Sequence, residues 1–599
     1  MNTANFRFLR TAFLPVVATT LLTVNAVPAA VAERTDNTAL YIVEAHTSID
    51  ARDQVAAVGG RVQRELDVIN GVSALMNPWQ VARIKANSGV HVSKDRGVSV
   101  KATWADSMSK MVSDLTASQT LTDGSAVAAP SFLYQTSYPA LVGANTLHSQ
   151  NITGAGVTIA VLDTGLWQAP NQAYNRYDYS TQTSVSRVLA TMDVITGTTK
   201  TTVTTDPYGH GTHITSIAAG GARNLTGGYL AIAPNANLVI VRAFDDLGAG
   251  TYTDVIAGID WIVKNRTKFN IRVLNLSFGA LPQSNYWDDP LNKAVMAAWK
   301  AGIVVVTSAG NEGPKPMTIG VPGNVPYVVT VGALTDNFTP SDGTDDRLAS
   351  FSSTGPTFEG FVKPELVAPG GHMVGSLHYQ TYLANIDPDS MNQYETLFTM
   401  SGTSQAAAVT TGVVALMLQK DPSLSNDTIK CRLMMAARPA VTSTNTLAYS
   451  VFQQGAGLIN AVAAVNSTAT GCANVGLDVK ADLAGTRHYG GPANIDANGN
   501  YYIMDMAGSI WGGASNADGY TWSRGYTWSQ GYTWSQGYTW SKGYTWSKGY
   551  TWSKNTTWTK GYTWSKGYTW SKTVPWWNQT PSIGISAAPA SIVNWVPNQ

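Results

Sequence analysis

Five short, largely apolar runs constrain the middle of this chain: Val157 to Leu162, Leu238 to Val241, Val273 to Leu276, Ile303 to Val306 and Val328 to Val331. Helical patterns lie between them, such as Val255, Ile259 and Ile262 after a candidate cap at Asp254. A strand that is apolar on both faces needs cover on both, and strands that alternate with helices pair in parallel. The expectation for residues 140–470 is therefore an α/β unit, a parallel sheet covered by helices on both faces. The whole chain has 599 residues, too many for one core, so further units are expected on either side.

Charged residues make up only 13% of the chain, against about 25% on average, which excludes a charge-rich disordered chain. Lys and Arg number 39 against 38 Asp and Glu, so there is no global electrostatic case for nucleic acid or anionic lipid. Two cysteines exclude a disulfide-dense scaffold and a Cys-rich zinc module. Cys431 and Cys472 either pair, closing a loop worth about 4 kcal/mol, or stand as buried thiols, and the sequence leaves both open. At the N-terminus, Arg7 and Arg10 precede an apolar stretch from Thr11 to Val27, followed by Ala30-Val31-Ala32. Residues 1–32 thus read as an export signal cut before Glu33. The alternative is a membrane anchor, but Pro15 and Asn25 interrupt a stretch already short for a bilayer. No later run reaches about 18 apolar residues, so the mature chain is expected to be secreted, extracellular or held at the cell surface, without a transmembrane segment.

Residues 33–102 carry a small α+β pattern. Ala39 to Val43 and Val72 to Met76 read as strands, the second after the Asn70-Gly71 turn. Asp50 to Val58 and the stretch from Pro78 through Ile84 read as helices. Residues 103–139 and 471–518 read as linkers. From Gly519 to Lys572 nine hexads of the form Gly-Tyr-Thr-Trp-Ser-Lys follow one another, with Arg524, Gln530 and Gln536 as variants and one divergent copy at Asn555 to Lys560. Residues 573–599 form a tail. An extended hexad puts Tyr, Trp and Lys on one face, and the even period keeps them there through every copy. Such a strip suits sugar rings, cell-wall polymers or single-stranded nucleic acid. A low-complexity spacer or surface-attachment segment is the preferred reading, because no fold follows from the hexad.

Four polar groups stand where the large unit builds its edge. Asp163-Thr164-Gly165 follows the first apolar run, the position at which α/β sheets place their sites. The same triplet marks pepsin-like proteases, which need two copies, and here there is one. His210 lies in Gly209-His210-Gly211-Thr212-His213, at the start of a helical stretch. Its alternatives are a structural ring, or a metal pair with His213, which lacks a third ligand. Ser404, in Gly402-Thr403-Ser404, opens a long apolar helix whose free N–H groups favour negative charge. Alone it would read as a cap. Asn311, in Ser308-Ala309-Gly310-Asn311, follows the run from Ile303 and alone would read as a turn residue.

Together, Asp163, His210 and Ser404 stand in one of the chain orders used by serine triads, and with Ser277-Phe278-Gly279 they resemble the subtilase family of serine endopeptidases over about residues 140–465. The unit at 33–102, with Val72-Ser73-Ala74 and Val90-His91-Val92-Ser93, is similar to that family's inhibitory propeptide. The resemblance implies a nucleophile at Ser404, a general base at His210 and an orienting carboxylate at Asp163. It implies an oxyanion hole at Asn311 and the Ser404 amide, and a substrate cleft along Ser277, Phe278 and Gly279 and along Ser308, Ala309 and Gly310. The implied product is a self-processed precursor that cleaves polypeptides and is inhibited by its own propeptide, with cleavage between about residues 100 and 140. No cofactor is required for that chemistry. Family members often bind calcium, and Asp336, Asp342, Asp345 and Asp346 offer carboxylates, although a solvated acidic loop is the preferred reading. Gln405 and Ala408 depart from the usual Met and Pro, and inserts at about 168–205 and 376–396 leave substrate preference open. The rival reading is an inactive member or an adhesin presenting the aromatic tail.

Overall fold

The computed structural model describes residues 37–100, 138–168, 174–178, 182–200, 205–224, 226–337, 343, 345–392, 396–442, 447–495 and 501–504, with short strand pieces from Ile510 onward. The expected export signal, nearly all of the first linker and most of the hexads lie outside the described residues. Within the hexads, Tyr532–Trp534 and Trp540–Lys542 pair antiparallel.

The large unit is built on a nine-stranded sheet. Across it run Val188–Asp193, Asn237–Arg242, Thr158–Asp163, Ile271–Leu276, Val304–Ser308, Val329–Thr335 and Leu366–Pro369, all parallel. Thr198–Lys200 and Arg347–Leu348 add antiparallel strands at the two margins. All five apolar runs lie in this sheet, four of them displaced by at most two residues at their ends, while the strand begun at Val329 continues to Thr335, past the run's end at Val331. The Val188–Asp193 strand is a difference from expectation, because it falls in a segment read as a polar insert. Its short Val188-Leu189-Ala190 run was its only local signal, and pairing with Asn237–Arg242 supplies the rest.

Both faces carry helices. In parallel register Asn275 pairs with Val161, and Leu162 pairs with Leu276 and Val241. Neighbouring residues on a strand face opposite ways. Thr411 on the helix Thr403–Lys420 donates its hydroxyl to Asn275 Oδ1 at 2.8 Å, so that helix covers the Asn275 face. Gly258 on the helix Tyr252–Asn265 lies against Leu162 and Val241, so that helix covers the other. Thr251 caps the second helix by accepting the Asp254 N–H. Asp254, the expected cap, instead sits in the first turn, where its carboxylate meets the positive helix end.

Residues 37–100 form a separate antiparallel sheet in the order Arg61–Leu66, Gly71–Met76, Ala39–Glu44, His91–Lys94. The helices Ser48–Ala57 and Pro78–Lys85 close one side around Val43, Val55, Val72, Met76 and Ile84. Ile42, Leu66 and Ile69 instead join the core of the large unit. The two units are also joined by polar contacts: Arg64 to Asp254, Asp67 to Lys264, Glu44 to Lys293 at 2.8 Å, and Arg96 to the buried Asp289. Cys431 and Cys472 form a disulfide with a Cα–Cα distance of 5.2 Å, which resolves their open pairing. Among the described residues no helix is long and apolar enough to cross a membrane.

Candidate active site

The chain leaves strand Thr158–Asp163 and later supplies sheet neighbours on both of its sides, Asn237–Arg242 and Ile271–Leu276. Such a switch in strand order opens a crevice at the carboxyl ends, and Asp163 ends one of the bordering strands. Its Oδ1 accepts the Thr164 N–H and lies 2.8 Å from His210 Nδ1. Both side chains are buried. Their close approach depends on Gly211, where a Cβ would stand 2.4 Å from the Gly165 carbonyl oxygen and 3.2 Å from Asp163 Cβ. The helix His210–Ala219 is anchored by Asp206, whose carboxylate accepts from Gly209 N, Thr212 N and Thr212 Oγ1 at 2.8, 2.8 and 2.6 Å. Asp206 was missed from the sequence. Its signal was an acid just ahead of a helix start.

His210 Nε2 is buried and has no partner among the described residues. On the neighbouring strand's exit, Ser277 and Ser404 are linked both ways. Ser404 Oγ donates to the Ser277 carbonyl and Ser277 Oγ to the Ser404 carbonyl, each at 3.1 Å. The structure therefore joins Asp163 to His210 and Ser277 to Ser404 at the exits of adjacent strands, with the Ser404 hydroxyl turned toward Ser277 rather than bonded to the imidazole.

Asn311 and Ser404 converge beside Gly402. Asn311 Oδ1 accepts from Thr403 N and Thr403 Oγ1 at 3.0 and 2.9 Å. Those two donors identify the oxygen and leave Nδ2 as the outward group. A Cβ on Gly402 would stand 2.7 Å from Gln405 Oε1, 3.5 Å from Asn311 Nδ2 and 3.7 Å from the Ser404 amide nitrogen, so two donors lie near one point at a helix N-terminus. His213, weighed from the sequence as a metal partner of His210, is buried and bonds Phe398 O at 3.0 Å. Burial pushes its imidazole down to about 4, keeping it neutral.

The cleft residues separate into two groups. Gly279 donates its N–H to Ser99 O at 3.3 Å, so this side carries an added strand. Ala309 and Gly310 do not, because the rest of the fold takes up their backbone groups. Ala309 N bonds Val331 O and Ala309 O accepts from Gly320 N. Gly310 N bonds Thr403 Oγ1 and Gly310 O accepts from Ser353 N. Ser308 is buried, its hydroxyl directed to Phe278 O at 3.4 Å. The opposite rail, missed from the sequence, is Ala249–Thr251, which pairs antiparallel with Gly97–Ser99. Its signal was the Gly248-Ala249-Gly250 run.

Among the described residues no three His, Cys, Asp or Glu side chains form a metal-binding group. Asp342 lies outside the described residues, and the buried Asp346 acts electrostatically on Arg438.

The Subtilase family profile matches residues 154–457. Serine protease AprX of Bacillus subtilis is 38% identical over 293 residues, 47% of this chain and 61% of that relative, so the chain spans under two thirds of its length. Subtilisin DY of Bacillus licheniformis is 32% identical over 54% of this chain and 96% of its own length. Fervidolysin from Fervidobacterium pennivorans, described as a keratinolytic enzyme related to subtilisin, superposes with a TM-score of 0.53 at 22% identity, covering 80% of this chain and 68% of that one. This last match concerns the fold.

Proposed function

The chain belongs to the subtilase family, and on that premise we propose that it is an exported serine endopeptidase made as a self-inhibited precursor. The observation that carries the reading is the buried Asp163–His210 bond at one strand exit and, at the adjacent strand's exit, Ser277 bonded to Ser404 of the helix Thr403–Lys420, with Asn311 Nδ2 and the Ser404 amide both near Gly402. In the working arrangement the Ser404 hydroxyl would leave Ser277 and bond His210 Nε2, and catalytic hydrogen bonds often tighten only with substrate present. Ser404 Oγ then attacks the peptide carbonyl carbon while His210 takes its proton. Asp163 holds Nδ1–H and stabilises the imidazolium. Asn311 and the Ser404 amide receive the developing oxyanion. His210 returns the proton to the leaving amine, and water, activated by the same ring, releases the acyl group from Ser404. This chemistry needs no cofactor.

Residues 37–100 would be the intramolecular inhibitor. Support comes from their end, which lies between the Ala249–Thr251 rail and Gly279. A parallel sheet relies on non-local contacts and folds slowly, and a tethered unit that binds the native cleft favours the native state. The hexads would serve as a spacer or surface attachment. The test is labelling by a serine-directed fluorophosphonate. The processed chain should be labelled and the Ser404→Ala chain should not. A folded, processed chain that stays unlabelled would favour the inactive or adhesive member instead.

A further inference from the structure

Residues 97–100 lie in the cleft as an occupant, and what surrounds them describes what the cleft accepts. This inference rests on the endopeptidase reading. The backbone of the occupant is held by main-chain bonds, Gly97–Ser99 along Ala249–Thr251, Ser99 O to Gly279 N, and Val100 N to Gly248 O at 3.1 Å, and the Ser99 hydroxyl adds a bond to Gly248 O at 3.1 Å. The main-chain bonds carry no preference for one side chain over another. Preference comes from the pockets that take alternate side chains. Val98 and Val100 are each only 3% exposed and belong to the main core, while Ser99 between them is half-buried.

Each valine has a defined wall. Val98 stands opposite Gly250, and cross-strand partners share a face. On that face a Cβ at Gly250 would meet Phe244 Cδ1 at 3.0 Å, and Phe244 packs on Phe278 with ring centroids 5.2 Å apart. At Gly248, with φ +72°, a Cβ would stand 2.7 Å from Tyr208 Cζ and 2.9 Å from Val100 Cγ2. The glycine is where the Tyr208 ring and the Val100 isopropyl group meet, two residues before His210. Tyr208 does not hold that place alone. Its ring stacks on Tyr382 at 5.5 Å and 14°. The two backbones are strapped together by Tyr382 N to Pro207 O at 2.8 Å and Leu383 N to Tyr208 O at 3.2 Å. Tyr382 lies in the insert at 376–396.

We propose that the cleft selects extended peptides with compact branched aliphatic side chains at the positions filled by Val98 and Val100, and that Tyr382 is the positioning residue for the second of these, holding Tyr208 over Gly248. A charged side chain there would lose its hydration with no partner in return. A glycine would leave the wall uncovered, and a large ring would displace Tyr208.

The test uses the full chain after its own maturation, with active sites titrated by fluorophosphonate. The substrates are internally quenched peptides with the sequence of residues 95–106, carrying Val, Gly, Phe or Asp at the position of Val100. The expected kcat/KM for Val exceeds that for Gly by about tenfold or more, the scale of a few methylenes in an apolar pocket, and exceeds those for Phe and Asp further. Tyr382→Ala should bring Val to within about threefold of Gly, mainly through KM, whereas Tyr382→Phe keeps the stack and the preference. If Tyr382→Ala yields no titratable sites, Tyr208→Ala reads the same wall. A chain that titrates and cleaves all four peptides alike overturns the selection. Selection undiminished in the alanine variants removes the assigned role of the two tyrosines. A chain that neither titrates nor cleaves overturns the endopeptidase reading itself.

Discussion

Glu365→Gln tests how the sheet margin is held, and its cost follows from the bonds the carboxylate makes. Glu365 is buried between the strands Val329–Thr335 and Leu366–Pro369 and the helix Asn426–Ala436. It accepts from Thr330 N at 2.8 Å, from Lys363 Nζ at 2.7 and 2.9 Å, and lies 2.8 Å from Lys430 Nζ. Both ammonium groups are buried as well, and their other partners are neutral: Val328 O and Thr330 Oγ1 for Lys363, and Pro326 O, Tyr327 O and Asn474 Oδ1 for Lys430. The amide keeps the shape and removes the carboxylate charge that, among the described residues, pairs with both buried cations. Removing one partner of a buried ion pair costs about 3–5 kcal/mol, which lowers the unfolding midpoint by on the order of 10 °C for a unit this size. The dependence on pH adds a sign. Burial pushes the Lys363 ammonium down to about 7, against the pull of Glu365 and with the push of Lys430. The unfolded chain keeps that proton to about pH 10, so it binds more protons between those values and stability rises with pH across them. Without Glu365 the folded pKa falls further, so the deficit of the variant is largest near pH 6 and narrows toward pH 10. The measurement is calorimetric unfolding of Ser404→Ala chains, with and without Glu365→Gln, at several pH values. A loss under about 1 kcal/mol that does not change with pH would refute the reasoning.

Replacing Cys431 and Cys472 by Ser opens a loop of sequence separation 41 and is expected to remove about 4 kcal/mol of stability, read by denaturant unfolding. Asn311→Ala should lower kcat by on the order of 10²–10³ with KM little changed, the size found for the matching donor in subtilisin. An unchanged kcat would exclude its Nδ2 as an oxyanion donor. Gly402→Ala places a Cβ 2.7 Å from Gln405 Oε1, in the space faced by Asn311 Nδ2 and the Ser404 amide. It should lose activity while the unfolding midpoint moves little, and retained activity would mean that the space is not used. The Ser404→Ala chain should accumulate with residues 37–100 attached, and their clean removal without added protease, seen by mass, would contradict self-processing.

The sequence by itself determined what depends on near neighbours. The apolar runs ending at Leu162, Val241 and Leu276 specified strands, because a chain apolar on both faces can only be buried between two layers. Gly209-His210-Gly211 and Gly402-Thr403-Ser404 specified helix starts, and the order of Asp163, His210 and Ser404 pointed to one class of chemistry. Other features depended on residues remote in sequence, and these only the tertiary structure decided. Val188–Asp193 is a strand because Asn237–Arg242 offers it a partner. Thr251 rather than Asp254 caps its helix because the backbone there pairs with Gly97. The backbone groups of Ala309 and Gly310 are taken up by Val331, Gly320, Ser353 and Thr403, while Ala249–Thr251 pairs with Gly97–Ser99. The register of Val98 and Val100 on Gly250 and Gly248, and the stacking of Tyr382 on Tyr208, join segments roughly 150–175 positions apart. Local periodicity carries no record of such pairings. They are chosen by which surfaces bury the most apolar area and leave the fewest polar groups without a partner.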